Sequence, residues 1–302
     1  MKIKGEWLEY KAELKNGPVY LNEYLQKVIG ASKANILEWR KTGAIQWNNE
    51  ILGDFNPLVQ DGDQILLHVF AEETEDLQPE YKEIEVLFED EHLLIANKPA
   101  GMATHPNEQN QKGTFANALA FYYQMTGQHC RVRQVHRLDQ DTSGAIVFAK
   151  HALAQTLLDK ALQEHLIKRT YIALAEGRLH RKKGTFNDPI GKDRHHPTRK
   201  RVSENGQAAV THYEVIKGLR EQKLTIVKLQ LETGRTHQIR VHLSHAGNPI
   251  AGDELYGSEN SQFSSQALHA AEINLTHPFT GEALTIRAPF PEEMADVIGD
   301  IF

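Results

Sequence analysis

Residues 134–149 constrain the fold of this chain more than any other stretch, because a polar run there meets an apolar one. The polar part, residues 134–144, holds a histidine, an arginine and two aspartates and ends in Thr-Ser-Gly. The apolar part, residues 145–149, predicts a buried strand. A rigid scaffold can direct charged groups at the end of such a strand towards a ligand. The same residues are also typical of a plain polar turn, with Gly144 in an unusual backbone conformation.

The length and composition of the chain predict one large and one small globular domain. Of its 302 residues, 40% are hydrophobic and 25% charged, which is typical of soluble proteins. No apolar run approaches the roughly 20 residues that span a bilayer, and the first residues lack the apolar segment of a signal peptide. The single cysteine, Cys130, excludes an internal disulfide and a four-cysteine zinc site. We therefore expect a cytoplasmic protein.

The net charge of −6 is distributed unevenly along the chain. Residues 1–80 carry 8 Lys and Arg against 14 Asp and Glu, so the remaining residues carry 26 of each sign and are neutral overall. Within that neutral part, residues 178–201 hold nine basic side chains and only two acidic ones. A local excess of positive charge of this kind favours phosphate recognition, although it is also compatible with a solvated loop that has no partner.

Local patterns divide the chain into two parts. Residues 19–29 have helical spacing and end at a glycine, Ser32 can cap a second helix that stops at Gly43, and strands are predicted at residues 44–47 and 64–69. The acidic stretch 71–80 has no periodicity and is interpreted as a linker.

The second part alternates strands with one clear helix. Residues 84–88 and 93–97 are predicted to pair as strands, and residues 151–166 form an amphipathic helix whose apolar stripe ends at Leu166. Residues 168–175 alternate like a half-buried strand. After a basic loop over residues 177–207, two more strands are predicted at 209–216 and 224–231.

Separated motifs of this sequence resemble those of one enzyme family. Residues 136–139, His-Arg-Leu-Asp, followed by Thr-Ser-Gly at 142–144, resemble the motif of the RluA-type pseudouridine synthases, whose nucleophile is the Asp of that motif. Residues 234–240, Gly-Arg-Thr-His-Gln-Ile-Arg, are close to the family's Gly-Arg-x-His-Gln-(Leu/Ile)-Arg motif. The opening motif matches residues 98–101, for which we expect a turn-forming role, and the closing motifs match residues 249–253 and 268–270. The motifs follow the family's order over about residues 83–290.

The resemblance implies an α+β fold with a mixed, largely antiparallel central sheet, flanking helices and an active-site cleft. It places this catalytic domain at residues 83–302. Residues 1–78 resemble the small α/β S4 domain that often precedes it, with the linker reaching about residue 82. Because S4 surfaces are usually basic and this segment is acidic, the resemblance predicts its fold rather than RNA binding.

The resemblance also implies an RNA uridine isomerase. That reaction has no redox or phosphoryl step and the sequence shows no cofactor fingerprint, so we expect no cofactor and no metal. Asp139 is then the nucleophile and Arg240 its ionic partner, Tyr171 stacks on the target uracil and can accept its C5 proton, and Arg137 helps to hold the nucleotide out of its helix. The residues expected to bind substrate are His136, Arg137, Arg235, His237, Gln238, Lys192, Arg194, Arg199, Lys200 and Arg201. The expected substrate is 23S ribosomal RNA, with transfer RNA as the alternative, and the expected state is a monomer.

Three other interpretations start from the same residues. A non-catalytic RNA-binding protein could retain the fold, but the presence of Asp139, Tyr171 and Arg240 together speaks against it. A nucleoside or glycoside hydrolase could use Asp139 and would release free uracil. The cluster His237, His242 and His245 could suggest a metal site, although no carboxylate ligand lies near it in sequence.

Overall fold

The computed structural model describes residues 1–15, 17–53, 55–108 and 111–299, and its first part is a small five-stranded sheet with two helices. The elements of this part are β1 (Lys2–Lys4), β2 (Trp7–Lys11), β3 (Val19–Tyr20), α1 (Leu21–Tyr24), a π-helical turn (Leu25–Ile29), α2 (Lys33–Thr42), β4 (Ile45–Trp47), β5 (Glu50–Ile51), β6 (Leu58–Val59) and β7 (Gln64–His68). The sheet has the strand order β1-β2-β7-β4-β5 and is antiparallel throughout, while β3 and β6 form a separate pair.

Helix α2 begins and ends at the residues that the sequence indicates, whereas the helix before it does not. Ser32 caps α2 by accepting a hydrogen bond from the backbone N–H of Asn35, and the Asn35 side chain returns a capping-box contact. Gly43 ends α2 in the left-handed conformation, where a glycine carries no Cβ penalty. The predicted helix over residues 19–29 is shorter than expected, because residues 19 and 20 form β3. The assignment of residues 1–78 to an S4-like domain stays a prediction.

The acidic stretch interpreted as a linker follows the surface of the second part of the chain. It forms no helix or strand, in agreement with the sequence. Its carboxylates are nevertheless bound, since Arg131 contacts Asp76 and Arg133 contacts Glu73. The backbone N–H of Glu73 also donates to the His129 carbonyl at 2.8 Å. These contacts fix the acidic stretch against the second part of the chain.

The second part of the chain is built on a large central sheet with helices packed against it. Its strands are β8 (Glu85–Glu89), β9 (Leu93–Lys98), β10 (Arg133–Gln134), β11 (Ser143–Ala149), β12 (Lys168–Glu176), β13 (Lys183–Phe186), β14 (Ile190–Lys192), β15 (Lys200–Val202), β16 (Thr211–Leu219), β17 (Leu224–Leu231), β18 (Leu268–Thr276) and β19 (Ala283–Arg287). Its helices are α3 (Phe115–Met125), α4 (Ala152–Gln163), α5 (Gln238–His245) and α6 (Glu292–Ile298), with a 3-10 turn at Glu254–Tyr256.

Ten strands of the described residues form this sheet, in the order β13-β16-β17-β12-β18-β11-β9-β8 with β10 on β11 and β19 on β18. The pair β11–β18 is parallel, and the other pairs are antiparallel. The fold is therefore the mixed, largely antiparallel α+β sheet that the sequence predicts. Strands β11, β12 and β18 lie at its centre, so residues from three distant motifs become neighbours.

Three local predictions were wrong, each because tertiary packing overrides a local pattern. Strand β12 is buried on both faces rather than on one, because residues 171–175 all belong to one core cluster that other parts of the fold complete. Leu166 is 60% exposed because α4 ends at Gln163 and the chain turns at His165, which has φ 57°. The basic stretch 177–207 is not an open loop, because it contains β13 and the β14–β15 hairpin.

Over residues 1–15, 17–53, 55–108 and 111–299, no helix is long and apolar enough to cross a membrane.

Candidate functional site

The candidate site forms where β11 begins beside β18. Gly144 has φ +113°, and a Cβ at this position would lie 2.3 Å from the Ala270 carbonyl oxygen. Only glycine permits this approach, which brings the two parallel strands together. The Ser143 hydroxyl and His269 Nδ1 are 2.8 Å apart across the same pair. The residues that precede β11 are thereby fixed at the centre of the sheet.

Side chains from several parts of the fold hold the loop that carries Asp139. The Thr104 hydroxyl donates to the Leu138 carbonyl at 2.7 Å, and the Gln266 amide donates to the Thr142 hydroxyl at 2.8 Å. Within the loop, the backbone N–H of Thr142 donates to the Asp139 carbonyl at 3.1 Å. The loop is therefore a hydrogen-bonded turn that also presents the Asp139 carboxylate. The sequence left open whether it is a plain polar turn or a scaffold for charged groups, and it has both properties.

A buried lysine completes this support. Lys98 is fully buried, and its ammonium group donates to the carbonyls of Pro99, Met102 and Gln140 at 2.8, 2.6 and 2.9 Å. Burial lowers the pKa of Lys98 to about 8, against the opposing attraction of Asp141 and Asp139. The turn expected at residues 98–101 is present, with Gly101 at φ +81°. The sequence did not indicate that its lysine ties that turn to the Asp139 loop.

Asp139, Tyr171 and Arg240 line one cavity of about 420 Å³. The residues of the substrate-binding prediction that line it with them are His136, Arg137, Arg235, His237 and Gln238. Arg137 and Arg235 are exposed at the rim, whereas His136 and Gln238 are buried. The motifs predicted from separate places in the sequence therefore meet in one site.

Arg240 is held mainly by a carboxylate that the sequence analysis gave no role. Its Nε and Nη2 donate to the two Asp253 oxygens at 2.7 and 2.8 Å, whereas its Nη1 is 3.5 Å from Asp139 Oδ2. Burial opposes the charge of Arg240, but the hydrogen bonds and charge of Asp253 raise its pKa overall. The guanidinium also lies 4.9 Å from the centre of the Tyr256 ring. The predicted Asp139–Arg240 pair exists, but it is the longer of two contacts.

Tyr171 faces the cavity from β12. It is 4% exposed, and it pairs with Leu229 on β17 and with Ala270 on β18. Burial raises its pKa, the positive charge of Arg169 opposes that rise, and Asp139 adds to it. The ring is thus a neutral phenol inside an apolar wall, next to charged neighbours.

The remaining predicted cavity residues differ in how they are bound. His237 has φ 59° at the start of α5, and its Nδ1 is 2.9 Å from the Tyr256 hydroxyl. Gln238 binds within the protein, accepting from the Arg235 N–H at 3.0 Å and donating to the Val210 carbonyl at 2.9 Å. His136 Nε2 accepts from the Val147 N–H at 3.3 Å, and burial lowers the pKa of His136 to about 3.

The basic residues Lys192, Arg194, Arg199, Lys200 and Arg201 do not line this cavity. They belong to the β14–β15 hairpin and its turn, and Arg199 forms an ion pair with Asp193 at 2.7 Å. The hairpin reaches the site through Tyr256, whose hydroxyl accepts from the Lys200 N–H at 2.9 Å. Any RNA that contacts these residues would therefore lie beside the cavity rather than within it.

Four contributors to the site were missed by reasoning from sequence: Lys98, Arg169, Asp253 and Tyr256. Lys98 and Asp253 belong to motifs that match the family, so that match was the available signal for them. Arg169 and Tyr256 carried no local signal beyond residue type. In the described part of the chain, no group of three or more metal-ligating side chains is found.

Comparisons with known proteins agree with the fold and the motifs. The family model described as RNA pseudouridylate synthase matches residues 92–245. The uncharacterized RNA pseudouridine synthase YhcT of Bacillus subtilis is 49% identical over 302 residues, covering 100% of both chains. The ribosomal large subunit pseudouridine synthase D of Nitrosomonas europaea is 42% identical, covering 77% of this chain and 70% of its own. The solved structure of human RNA pseudouridylate synthase domain containing 1 has the same fold, with a TM-score of 0.59, 24% identity, and coverage of 71% of this chain and 87% of that chain.

Proposed function

The chain belongs to the RNA pseudouridylate synthase family, whose members are isomerases acting on RNA, and we propose that it modifies uridines of large-subunit ribosomal RNA with Asp139 as the nucleophile. The name of the Nitrosomonas europaea relative supports that substrate. Transfer RNA is the alternative substrate. The observation that carries the proposal is the convergence of Asp139, Tyr171 and Arg240 on one cavity.

The reaction requires a group that can attack or assist at the sugar without a cofactor. The bond between N1 of uracil and C1′ of ribose breaks, the ring turns, C5 bonds to C1′, and C5 then loses its proton while N1 gains one. The Asp139 carboxylate, 17% exposed at the cavity, is free to form a covalent adduct or to assist glycal formation. Its single contact with Arg240, at 3.5 Å, leaves the lone pairs of the carboxylate largely unused.

Tyr171 and Arg240 have distinct roles in this proposal. The buried phenol ring of Tyr171 offers a stacking surface for uracil, and its hydroxyl can take the C5 proton, directly or through a water, as it gives up its own proton. Arg240, fixed by Asp253, orients the Asp139 carboxylate. Both residues act from the central sheet or the helix beside it, where side-chain positions are well determined.

The cavity admits only a nucleotide that has left its helix. Flipping costs a few kcal/mol, which contacts from the exposed Arg137 and Arg235 at the rim can offset. Further phosphate contacts come from the β14–β15 hairpin, where the three basic residues 199–201 line a neighbouring cavity together with Tyr256. These contacts position the RNA, while the cavity selects the base.

The Asp139→Asn variant tests the catalytic assignment, with Asp141→Asn as a matched control two residues away. Tritium release from C5-labelled uridine in ribosomal and transfer RNA transcripts should be lost in Asp139→Asn and retained in Asp141→Asn. Activity of Asp139→Asn within about tenfold of the unchanged protein would exclude Asp139 as the nucleophile. Release of free uracil by the unchanged protein would instead indicate a hydrolase.

Mapping pseudouridine in cells with and without this gene tests the substrate. Loss of one or more sites in large-subunit ribosomal RNA is expected, with transfer RNA unaffected. The opposite pattern would assign the protein to transfer RNA. In either case the purified protein should restore the missing modification on an unmodified transcript.

A further inference from the structure

Among the described residues, Arg169 is a buried cation of the cavity without a counterion. It is 8% exposed, its Nε is buried with no hydrogen-bond partner, and within the described residues its guanidinium has no hydrogen bond or ion pair. It lies two residues before Tyr171 on β12, and the register with β18 shifts between Thr170 and Tyr171. Both line the cavity of Asp139, and a Cβ on Gly234 opposite would lie 3.6 Å from Arg169 Nη1.

A buried charge of this kind is unfavourable unless something compensates it. Moving an ion out of water costs several kcal/mol even after the protein relaxes, and arginine does not escape this by losing its proton. The second buried arginine of the cavity, Arg240, takes both oxygens of Asp253 and the nearer oxygen of Asp139. Arg169 therefore keeps the donors of its two Nη atoms for a group that enters the cavity from outside.

The position of Arg169 distinguishes between the two anionic parts of a nucleotide. Phosphates are large and strongly hydrated, and the exposed Arg137 and Arg235 at the rim are placed to meet them. Arg169 lies deeper, next to Tyr171, where its charge counteracts the rise in the Tyr171 pKa caused by burial. The group that reaches this depth beside a stacking ring is the base rather than the backbone.

We propose that Arg169 is a further catalytic residue, which donates hydrogen bonds to the carbonyl oxygens of the target uracil and stabilises the negative charge that the ring carries during the isomerisation. The proposal rests on the proposed function of the cavity. When the N1–C1′ bond breaks, its electron pair stays with the ring and is shared by the ring oxygens. Formation of the C5–C1′ bond, with release of the carboxylate from C1′ where it was attached, returns the ring to neutrality, and a base then takes the C5 proton while N1 gains one.

The same requirement arises in each route open to Asp139. If the carboxylate attacks C1′ or assists loss of the C2′ proton, uracil departs as an anion. If it attacks C6 instead, the electrons of the C5–C6 bond move to the O4 oxygen. Preorganised donors aimed at such developing charge are usually the largest single contribution to catalysis. A cationic fork held in place before substrate arrives is suited to that task.

Single-turnover kinetics of Arg169→Gln measure this contribution directly. The rate constant at saturating RNA should fall by about 100-fold to 1000-fold, as for loss of one oxyanion donor, while the Kd for RNA changes less than about threefold. The rate constant of Arg169→Lys should lie between those of Arg169→Gln and the unchanged protein, because lysine keeps the charge but lacks the planar guanidinium with its several donors. Lys168→Gln, one residue earlier and exposed, is the matched control and should behave like the unchanged protein.

RNA containing 5-fluorouridine separates charge stabilisation from a general disturbance of the site. Fluorine stabilises the uracil anion by withdrawing electrons, so departure of the ring depends less on Arg169. The Arg169→Gln defect in the consumption of the target nucleotide should therefore shrink by about tenfold or more relative to uridine. A defect of equal size on both substrates would overturn the proposal, as would a weakened Kd with an unchanged rate constant, which indicates a phosphate contact.

Stability gives an independent outcome. Because Arg169 is unpaired in the free protein, Arg169→Gln should leave the midpoint of thermal unfolding unchanged or raise it. A large decrease would identify Arg169 as a structural residue and overturn the proposal. Failure of the proposed function is distinguishable, because the unchanged protein would then form no pseudouridine in any transcript or Asp139→Asn would remain active.

Discussion

Asp253→Asn should destabilise the protein much more than Asp139→Asn, although both carboxylates face the same guanidinium. Asp253 accepts two hydrogen bonds from Arg240, at 2.7 and 2.8 Å, and its side chain is 1% exposed. Asp139 has one contact of 3.5 Å and is 17% exposed. The two substitutions remove the same charge and keep nearly the same volume. They therefore compare a buried, doubly bonded carboxylate with one that opens to the cavity.

The expected magnitudes follow from these contacts. Removing one partner of a buried ion pair costs about 3–5 kcal/mol, because the other charge is left uncompensated. In Asp253→Asn the introduced side chain can accept one of the two bonds, but its amide group would face the Arg240 donors. At Asp139 the contact is long and partly solvated, so about 1 kcal/mol or less is expected. At about 2–4 °C per kcal/mol, Asp253→Asn should lower the unfolding midpoint by roughly 6–20 °C.

Urea and thermal unfolding of the two variants provide the test. The catalytic defects should have different origins: Asp139→Asn should be inactive while folded, whereas Asp253→Asn should lose activity together with stability. Asp253→Glu, which keeps the charge on a longer side chain, should recover part of the stability. Equal destabilisation by Asp139→Asn and Asp253→Asn would refute the assignment of Asp253 as the main partner of Arg240.

Three further predictions concern acid stability, RNA affinity and packing. Burial lowers the pKa values of four histidines from 6.5 to about 4, 3, 3 and 4: His92, His136, His151 and His269, in that order. Below about pH 6.5 the unfolded chain therefore binds protons that the folded chain does not, and the free energy of unfolding should fall by up to about 1.4 kcal/mol per pH unit for each histidine. Urea unfolding that shows no loss of stability between about pH 7 and about pH 5 would contradict this. Replacing the three basic residues at 199–201 by glutamine should reduce the slope of log K for RNA against log salt concentration by roughly two units, whereas replacing Lys33 and Lys41 should change that slope little. Filter binding across a salt series measures both slopes, and a larger effect of the Lys33 and Lys41 replacements would contradict the prediction. Gly144→Ala should abolish soluble folded protein, since its Cβ would meet the Ala270 oxygen at 2.3 Å, and a variant with normal thermal unfolding would show that β11 and β18 can separate.

The elements that the sequence predicts well are those with local signals at both ends. Helix α2 lies between Ser32 and Gly43 because a capping side chain and a left-handed glycine act over three or four residues. Strand β11 is predicted by an apolar run directly after Gly144. The meeting of the motifs was predicted by family resemblance, since nothing in their local patterns shows that β11, β12 and β18 are adjacent.

The failures concern properties that depend on strand order. Whether a strand such as β12 is buried on one face or two depends on which neighbours cover it, and the sequence of residues 168–176 does not contain that information. The choice of the carboxylate that binds Arg240 also depends on information that the local sequence does not contain. Asp139 and Asp253 are 101 and 13 residues away in sequence, and only the folded geometry decides which is closer. Arg169 was overlooked because an unpaired buried charge is visible only once every possible partner has been placed.

The division of the two carboxylates around Arg240 has a chemical consequence for the proposed nucleophile. A carboxylate whose oxygens both accept short charged hydrogen bonds is strongly stabilised and correspondingly unreactive. If Asp139 were the sole counterion of Arg240, the hydrogen bonds that fix the arginine would occupy the Asp139 oxygens and lower the reactivity of that carboxylate. Asp253 supplies the tight bidentate contact instead, at a position outside the cavity lining. Arg240 can then remain fixed and charged while its 3.5 Å contact orients Asp139 without occupying it, which is the arrangement that a carboxylate needs in order to react.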